Sequence, residues 1–387
     1  MPKKKSWKER LRERQIRHQK ALEAHRVQRE REAEKKPRKW PKGKILLATC
    51  LLVLIFGSYA VWQYASTPVS SEETPPPSQE TPTQTVPTTE IFIMPNGTVY
   101  PSTAPILNVR NSYYKFKADI NSSIIVGRDN IIIDGAGYTL QGLVNGTVGI
   151  DLTDRYNVTV KNVKIQNFDY GIYLYSARCN IISGNDFKNN YNSIWLYSSS
   201  NNTIISNTIT DSEGSGITLR YSSNNTISKN KIVNSKIYGV YIGFSTNNTA
   251  IFANHLENNA LGIFIYSSHN NTIYKNCIEN SNSSSISLSS SSKNIVYKNN
   301  LTKNSVGISL DNSSDNLIYN NNFLSNSQQV QTAKSANIWS STADRGNHWS
   351  DYQGIDGDQD GIGDTPYVID ENNKDEYPLM KPIPIGV

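Results

Sequence analysis

The sequence predicts an all-β protein, a right-handed parallel β-helix with coils of about 22–23 residues, preceded by one transmembrane helix. Two short motifs, one built on Asn and one on Gly or Ser, recur along the chain with this period. An uncharged apolar run precedes the first repeat. The period and the β-branched composition together predict the solenoid, and the apolar run predicts the helix.

Charge divides the chain into a basic tail and a mildly acidic body. The 387 residues include 39 Lys and Arg against 33 Asp and Glu, a net charge of +6. Residues 1–44 hold 18 basic and six acidic residues, a net of +12, so the other 343 residues carry a net of −6. Three cysteines in a chain of this length exclude a disulfide-stapled mini-protein.

Residues 45–64 are predicted to be a transmembrane signal anchor. The run Ile45–Trp62 has 18 residues and no charge, and as a helix it would span about 27 Å. Tyr and Trp residues gather at its C-terminal end, and the basic block precedes it. The excess of positive charge predicts that residues 1–44 lie in the cytoplasm and that the chain after the anchor lies outside the cell membrane.

Two alternatives concern this N-terminal part. A cleavable signal peptide is one, because the small residues Ala60 and Ala65 lie at the end of the apolar run. A leader of 44 residues before that run is long for this role, which favours an uncleaved anchor. Nucleic-acid binding by the basic tail is the other, but no fold or aromatic platform supports it. We therefore expect the membrane as a partner and no nucleic acid.

Residues 65–89 are predicted to be a stalk. Between Ser66 and Thr89 the chain holds six Pro and eleven Ser or Thr. Such a composition does not form a core and favours extended polyproline II, which rises about 3.1 Å per residue. The stalk would hold the following domain up to roughly 70 Å from the membrane.

The repeat begins near Asn130. The motif Asn-(Thr)-Ile/Val recurs at steps of 22 or 23 residues, at Asn157, Asn180, Asn202, Asn225, Asn248, Asn271, Asn294 and Asn316. The second motif, Gly/Ser-Ile/Val-x-Leu/Ile, keeps the same period from Gly149 to Gly307. Its Ile and Leu are expected to point into the core, and the residue between them is expected to point outward.

Three short strands per coil explain this pattern better than leucine-rich repeats do. Leucine is scarce, no helical stretch separates the motifs, and Ile, Val and Thr occupy the strand positions. Asn residues at the turns would stack in successive coils and hydrogen-bond along the ladder, and they tolerate a left-handed backbone. About nine coils are expected, which at about 4.8 Å each make a rod of roughly 40 Å.

These residues resemble the right-handed parallel β-helix proteins of the NosD-like group, also called the carbohydrate-binding and sugar-hydrolase (CASH) group. The resemblance covers roughly residues 91–387 and rests on the repeats and on the segments 121–142 and 347–367. It implies a parallel β-helix. Functions in the group range from glycan binding and sugar cleavage to assistance in the maturation of a copper enzyme, so the resemblance alone leaves the activity open.

A calcium-binding loop is predicted in the C-terminal segment 337–387, which contains ten acidic and three basic residues. Oxygen ligands would come from four carboxylates and one backbone carbonyl, at Asp356, Asp358, Asp360, Ile362 and Asp364. Tyr367 stands where an EF-hand has its Glu, so the loop is more similar to those of dockerin or thrombospondin repeats. We expect a structural Ca²⁺ that fixes the cap of the β-helix; a solvated acidic turn is the alternative.

Aromatic residues recur at the outward positions of the second motif. The predicted polysaccharide-binding residues form two neighbouring columns, Tyr173, Trp195, Tyr241 and Phe264 in the first and Tyr175, Tyr197, Arg220 and Tyr266 in the second. Rings about 4.8 Å apart would stack on sugar rings, and Arg220 would contact hydroxyls or carboxylates. Stacking that only stabilises the strands is the alternative, and it is favoured for a third column, Phe252, Tyr274, Tyr297 and Tyr319.

Catalysis and copper handling have less support. A polysaccharide lyase or glycoside hydrolase needs paired carboxylates on one face. Glu257 and Glu279 share a register one coil apart. They would be either the two carboxylates of a retaining enzyme or two solvated charges that repel each other. A soft metal needs clustered Cys, Met or His. In this sequence such residues are scattered over the part after the anchor: Cys179, Cys277, Met94, Met380, His255, His269 and His348. We expect none of them to be a ligand.

Five parts result: a basic cytoplasmic tail (1–44), the anchor (45–64), the stalk (65–89), the β-helix with its N-terminal cap (90–336) and the acidic C-terminal cap (337–387). Eleven Asn-x-Ser/Thr sequons outside the anchor fit a glycosylated surface protein, although the Asn ladder alone would produce four of them. Our primary hypothesis is a cell-surface protein that binds polysaccharide without cleaving it. A lyase or hydrolase and a structural envelope component are the alternatives, and a role in copper-enzyme maturation is less favoured.

Overall fold

The computed structural model describes residues 90–143, 147–244, 248–341 and 345–386. Within these residues, no helix is long and apolar enough to cross a membrane. The predicted basic tail, anchor and stalk lie outside the described residues.

The chain folds into a parallel β-solenoid of the right-handed type, as the sequence predicts. Each coil of about 23 residues adds one strand to each of three sheets, and each strand pairs with its equivalent in the next coil. Sheet A has 12 strands, of which β2 is antiparallel to its neighbour. In spatial order they are β2 (Val99–Tyr100), β1 (Ile91–Ile93), β5 (Ile124–Val126), β8 (Val148–Asp151), β11 (Tyr170–Tyr175), β14 (Asn192–Tyr197), β17 (Ser215–Arg220), β20 (Tyr238–Gly243), β23 (Leu261–Tyr266), β26 (Ser284–Ser289), β29 (Val306–Asp311) and β32 (Gln328–Ala333).

Sheets B and C consist mostly of three-residue strands. Sheet B holds β3 (Ile106–Val109), β4 (Tyr113–Phe116), β6 (Ile131–Asp134), β9 (Val158–Lys161), β12 (Ile181–Ser183), β15 (Thr203–Ile205), β18 (Thr226–Ser228), β21 (Ala250–Phe252), β24 (Thr272–Tyr274), β27 (Ile295–Tyr297) and β30 (Leu317–Tyr319). Sheet C holds β7 (Thr139–Gln141), β10 (Lys164–Gln166), β13 (Asp186–Lys188), β16 (Thr208–Thr210), β19 (Lys231–Val233), β22 (His255–Glu257), β25 (Cys277–Glu279), β28 (Asn300–Thr302), β31 (Asn322–Leu324) and β33 (His348–Trp349). A final antiparallel pair joins β34 (Tyr367–Asp370) and β35 (Asn373–Asp375).

The core runs along the inside of the solenoid and consists mainly of Ile, Leu and Val. Ile172 and Leu174 of β11 are fully buried, which confirms the inward positions predicted from the second motif. The central residue of each short strand is also inside, as Ile204 is in β15 and Ile209 is in β16. Each fully buried side chain of this kind stabilises the fold by about 1.5–3 kcal/mol.

Four corners turn the chain in each coil, and each places one residue in the left-handed backbone region. After β14 these residues are Ser198, Asn201, Ser206 and Asp211, with φ between 49° and 59°. A buried polar residue follows each of them: Ser199, Asn202, Asn207 and Ser212. In this coil the buried Asn residues do not themselves adopt the left-handed backbone. The residue before each one makes the turn, and the turn directs the following amide inward.

Buried Asn side chains form ladders along the solenoid, as predicted. Asn207 donates from Nδ2 to Asn230 Oδ1 at 3.0 Å and accepts at its own Oδ1 from Nδ2 of Asn185 at 3.0 Å. The same oxygen accepts the backbone N–H of Asn185 at 3.0 Å, so one amide serves both neighbouring coils. These bonds satisfy the polar groups that the corners bury.

Two predicted ladder members lie elsewhere. Asn157 and Asn248 are corner residues with φ of 53° and 55°. Val158 and Thr249 occupy the corresponding ladder positions, because the strand register pairs Ile181 with Thr159 and Thr226 with Ala250.

The C-terminal segment covers the end of the core with stacked aromatic rings. The ring of Trp349 lies 4.2 Å from that of Phe323 on one side and 4.2 Å from that of Tyr367 on the other. Asp375 is fully buried beside them and accepts hydrogen bonds from the Asn347 backbone N–H at 2.6 Å and from Trp349 Nε1 at 2.9 Å. Burial raises the pKa of Asp375 to about 6, although these N–H donors favour its charged form.

Candidate functional site

The two predicted aromatic columns exist on the outer face of sheet A. Register pairs Tyr173 with Trp195 in β11 and β14, and Tyr241 with Phe264 in β20 and β23. Thr218 lies between these pairs in β17. Because parallel strands place equivalent residues about 4.8 Å apart, each column follows the axis of the solenoid.

The first column is mostly packed. Tyr173 is 1% exposed and Trp195 is 8% exposed, and the ring of Tyr170 meets both edge-on at 5.5 and 5.4 Å. Burial raises the pKa of Tyr173 far above its usual value. Tyr241 and Phe264 are half-buried and contact the ring of Tyr238. The buried half of this column therefore supports the face, and only its later members are accessible.

The second column continues into a row of rings that the sequence did not predict in full. The members of this aromatic row are Tyr175, Tyr197, Tyr221, Phe244 and Tyr266. Successive ring centroids are 5.7, 5.3, 5.1 and 5.3 Å apart. The interplanar angles alternate between 11° for stacked pairs and 63° or 90° for edge contacts, so the row offers both ring faces and ring edges.

Tyr221 and Phe244 are the two members that sequence reasoning missed. Each follows the second column by one residue and occupies a left-handed corner, with φ of 52° and 53°. The corners in the same register elsewhere carry no aromatic ring; they are Asp154, Ser176, Ser198, Ser267, Ser290, Asn312 and Lys334. The signal was present in the sequence as a bulky ring where other coils have Ser, but recognising it required knowing that this position is a corner.

Arg220 lies within the aromatic row. Its guanidinium carbon is 5.7 Å from the ring centroid of Phe244, a cation–π distance. Its Nε is buried and makes no hydrogen bond with the residues that the structure describes. Burial raises the pKa of Tyr197, while the positive charge of Arg220 acts in the opposite direction. A positive charge thus lies among the rings of the row.

The third column on sheet B is a regular stack. The ring centroids of Phe252, Tyr274, Tyr297 and Tyr319 follow each other at 4.8, 5.1 and 5.4 Å. Their planes deviate from parallel by only 13°, 8° and 6°. This geometry is that of rings that stabilise neighbouring strands, and it differs from the alternating geometry of the aromatic row.

The acidic loop brings carboxylates together. Ligand oxygens of Asp356, Asp358 and Asp364 lie within 4.8 Å of one another. Asp356 accepts the backbone N–H groups of Asp360 at 3.1 Å and Gly361 at 3.0 Å, which shapes the loop around this residue. Three mutually close carboxylates suit a hard cation with oxygen ligands such as Ca²⁺.

Asp360 of the loop, and Asp351 and Asp370 outside it, accept hydrogen bonds of their own. The carboxylate of Asp360 accepts the Ile362 N–H at 2.7 Å. Asp351 accepts the Tyr367 hydroxyl at 3.1 Å, and Asp370 accepts Nδ2 of Asn373 at 2.9 Å. The last two residues therefore have partners in the cap.

One further cluster unites residues that look scattered in the sequence. His255 in β22 pairs in register with Cys277 in β25, and Glu257 pairs with Glu279. Ligand atoms of His255, Cys277 and Glu279 lie within 4.8 Å of one another. The expectation that Cys277 and His255 stand apart was wrong, because 22 residues of sequence equal one coil and bring them to adjacent strands.

Comparison with known proteins identifies one family. A family model described as periplasmic copper-binding protein (NosD) matches residues 117–287 and 239–354, which together span more than half of the chain. No curated protein matches the chain.

Several solved structures are similar to the chain at low identity. A mutant of the periplasmic alginate epimerase AlgG is 16% identical with a TM-score of 0.45, over 58% of this chain and 65% of that one. The A-module of the mannuronan C-5 epimerase AlgE6 of Azotobacter vinelandii is 10% identical with a TM-score of 0.39, over 58% and 80%. A tailspike protein mutant of the E. coli bacteriophage HK620, in complex with a pentasaccharide, is 13% identical with a TM-score of 0.39, over 62% and 49%. With TM-scores below 0.5, none of these likenesses bears on the activity of this chain.

The description of the family model includes copper. Among the described residues, the cluster of His255, Cys277 and Glu279 places an imidazole, a thiol and a carboxylate at one point. Imidazole and thiolate are donors for copper and zinc, so these residues fit a transition-metal ion.

Proposed function

The chain belongs to the NosD family of periplasmic copper-binding proteins, and we propose that this member binds a polysaccharide along the aromatic row without cleaving it. The proposed binding surface consists of the aromatic row, Arg220, Tyr241 and Phe264. Tyr173 and Trp195, which belonged to the predicted binding set, lie at the edge of this surface as its packed support.

The single observation that carries the proposal is the position of Tyr221 and Phe244. The left-handed backbone of these corners does not call for a ring, since the same register elsewhere carries Ser, Asn, Asp or Lys. Strand stabilisation does not require rings at these corners either, because the third column stabilises its strands from ordinary strand positions. Two adjacent rings at corners that carry no ring in other coils, and that join Tyr197 to Tyr266, support selection for a surface.

The chemistry of the row suits a sugar chain. The faces of the rings are apolar and would stack on the C–H faces of sugar rings, as aromatic side chains do in other interfaces. Tyr hydroxyls and the guanidinium of Arg220 would donate hydrogen bonds to sugar hydroxyls or carboxylates. From Tyr175 to Tyr266 the row spans four coil steps, about 19 Å, and so favours an extended polymer over a monosaccharide.

Retention on polysaccharide affinity gels tests this proposal. Residues 90–387, which contain the complete three-sheet core, are run through gels that hold different polysaccharides in excess calcium. Retention on one class is expected, and Tyr221→Ser, which installs the residue found at this corner in four other coils, should weaken it about tenfold. No retention on any polysaccharide, by a sample with intact folding, would remove recognition and favour a structural envelope role.

Tyr297→Thr is the matched control for Tyr221→Ser. Tyr297 also contacts two rings, at 5.1 and 5.4 Å, so its loss costs a similar number of aromatic contacts on sheet B. Equal loss of retention in both variants would mean that the assay reports a loss of folding stability and not the loss of a binding surface. Analysis of the bound polymer for new reducing ends or unsaturated products distinguishes binding from a lyase or hydrolase.

We also propose that the acidic loop binds a structural Ca²⁺. Asp356, Asp358 and Asp364 would supply carboxylate oxygens, with Asp360 and the Ile362 carbonyl as the further ligands that the loop spacing suggests. The loop is followed by β34, whose Tyr367 stacks on Trp349, so an ordered loop would stabilise the cap. Calcium dependence of unfolding, developed in the Discussion, tests this site.

We further propose that residues 45–64 anchor the protein in the cell membrane, with residues 1–44 in the cytoplasm and the β-helix outside. The apolar run and the preceding basic block support this topology. Protease added to cells from which any outer membrane has been removed should digest the stalk and release the β-helix; full protection of the chain would contradict this orientation.

A further inference from the structure

The outer face of sheet C carries a group of side chains with metal-binding chemistry. β22 contributes His255 and Glu257, and β25 contributes Cys277 and Glu279. Residues two apart in a strand lie on the same face, and the register places His255 beside Cys277 and Glu257 beside Glu279. The residues between them, Leu256 and Ile278, are fully buried in the core and fix the two strands from below.

Two distances from His255 match those between ligands of one tetrahedral ion. Its Nε2 lies 3.4 Å from Glu279 Oε1 and 3.5 Å from Glu257 Oε2. Two ligands bound at about 2.0–2.2 Å from one tetrahedral ion are about 3.4 Å apart. The thiol of Cys277 lies within 4.8 Å of the ligand atoms of His255 and Glu279, and Glu257 approaches this cluster through His255.

The charges of the group also favour a cation. Glu257 and Glu279 are directly opposite each other on parallel strands, where like charges destabilise the pairing. Both carboxylates pair with the same imidazole, whose single charge when protonated does not balance two. A divalent ion would balance the two carboxylates.

We propose that His255, Cys277, Glu279 and Glu257 form a binding site for a borderline divalent transition-metal ion, of which Zn²⁺ is the best match. One thiolate, one imidazole and two carboxylates are all donors that Zn²⁺ accepts in fourfold coordination. Ca²⁺ and Mg²⁺ prefer oxygen ligands alone, and Cu(I) prefers a second soft donor. The site lies on sheet C, apart from the aromatic row on sheet A and from the acidic loop.

Cobalt spectroscopy of the full chain tests the assignment. Co²⁺ replaces Zn²⁺ as a coloured probe, and a thiolate-to-cobalt charge-transfer band appears only when a cysteine sulfur binds the ion. The wild type is expected to show this band and to lose it when Zn²⁺ is added. Cys277→Ser should abolish the band and weaken Zn²⁺ binding at least 100-fold, and Glu257→Gln should weaken it about 10–100-fold.

Cys179→Ser is the matched control. Cys179 is a free, exposed cysteine that lies four coils from Cys277. Its substitution should leave the charge-transfer band and the Zn²⁺ affinity unchanged. All variants are made in the full chain, which includes the N-terminal tail. A band that survives Cys277→Ser would overturn the site. If Cys277→Ser unfolds, Glu279→Gln, which preserves the shape, decides the question, and unaltered Zn²⁺ affinity in that variant would overturn it.

Competition between copper and zinc identifies the ion. The same chain is titrated with Cu(I) and Cu²⁺ in competition with Zn²⁺ under exclusion of oxygen. Zn²⁺ that persists in the purified protein and is lost in Cys277→Ser supports the proposal. Purification with copper alone, bound through Cys277 and not displaced by excess Zn²⁺, would overturn the assignment to Zn²⁺.

Discussion

Asn207 offers the most direct test of how the solenoid is stabilised. Its side chain is 1% exposed and makes five hydrogen bonds that link three coils. Nδ2 donates to the Ile182 carbonyl at 2.9 Å, to Asn230 Oδ1 at 3.0 Å and to the Ile205 carbonyl at 3.2 Å. Oδ1 accepts the backbone N–H and the Nδ2 of Asn185, each at 3.0 Å. Asn207→Ala removes all five while leaving the backbone turn in place.

The expected cost follows from the groups that lose a partner. The Asn185 N–H is buried and loses the acceptor described above, which costs about 1–3 kcal/mol. The Asn185 amide keeps its bond to the Val160 carbonyl at 3.0 Å, and Asn230 Oδ1 still accepts the backbone N–H of residue 207 at 3.0 Å. The lost bond to the Ile182 carbonyl and the small cavity left by the side chain add to this cost. We therefore expect Asn207→Ala to destabilise the domain by about 3–4 kcal/mol in total.

Urea unfolding of residues 90–387, followed by circular dichroism, measures this cost. Ser206→Ala is the control, because Ser206 is the exposed corner residue immediately before Asn207 and should change stability by no more than about 0.5 kcal/mol. A shift in midpoint without a change of slope would report stability alone. Equal costs for the two substitutions would refute the argument that the buried amide, and not the corner itself, stabilises the coil.

Two further predictions concern the C-terminal cap. The pKa of Asp375 is raised to about 6 by burial, so the native state holds this proton more tightly than the unfolded state does. Its contribution to stability is therefore full below about pH 4 and is lost as pH rises through 6, and wild type relative to Asp375→Asn should lose up to about 3 kcal/mol between these limits. Calcium at 100 times its dissociation constant should stabilise the chain by about 2.7 kcal/mol, and Asp358→Asn should remove most of this gain.

Each of these two predictions has its own contradicting outcome. Chemical unfolding from pH 4 to 7 tests the prediction for Asp375. A stability difference between wild type and Asp375→Asn that stays constant or grows with pH would contradict this prediction. Thermal unfolding with calcium or with a chelator tests the prediction for the calcium site. Mg²⁺ is the control ion, and equal stabilisation by Mg²⁺ or in Asp358→Asn would leave only a general effect of charge screening.

Much of the fold followed from the sequence, because a solenoid repeats one local environment. A period of 22–23 residues, Ile and Leu at alternate positions and Asn at the turns predicted the sheets, the inward residues such as Ile172, and the ladder from Asn180 onward. The register of the aromatic columns also followed, since equivalent residues of successive coils are neighbours in parallel sheets. In these respects, sequence separation translates directly into distance in space.

What the sequence by itself determined was this periodic framework; the tertiary structure decided which side chains the framework exposes and which it brings together. The left-handed corners, and hence the positions of Tyr221 and Phe244, depend on backbone dihedrals that Asn spacing does not reveal. The burial of Trp195 depends on how Tyr170 packs over it. The contact of His255 with Cys277 depends on one exact strand register, since a shift of one residue would turn one of the two side chains to the opposite face of sheet C.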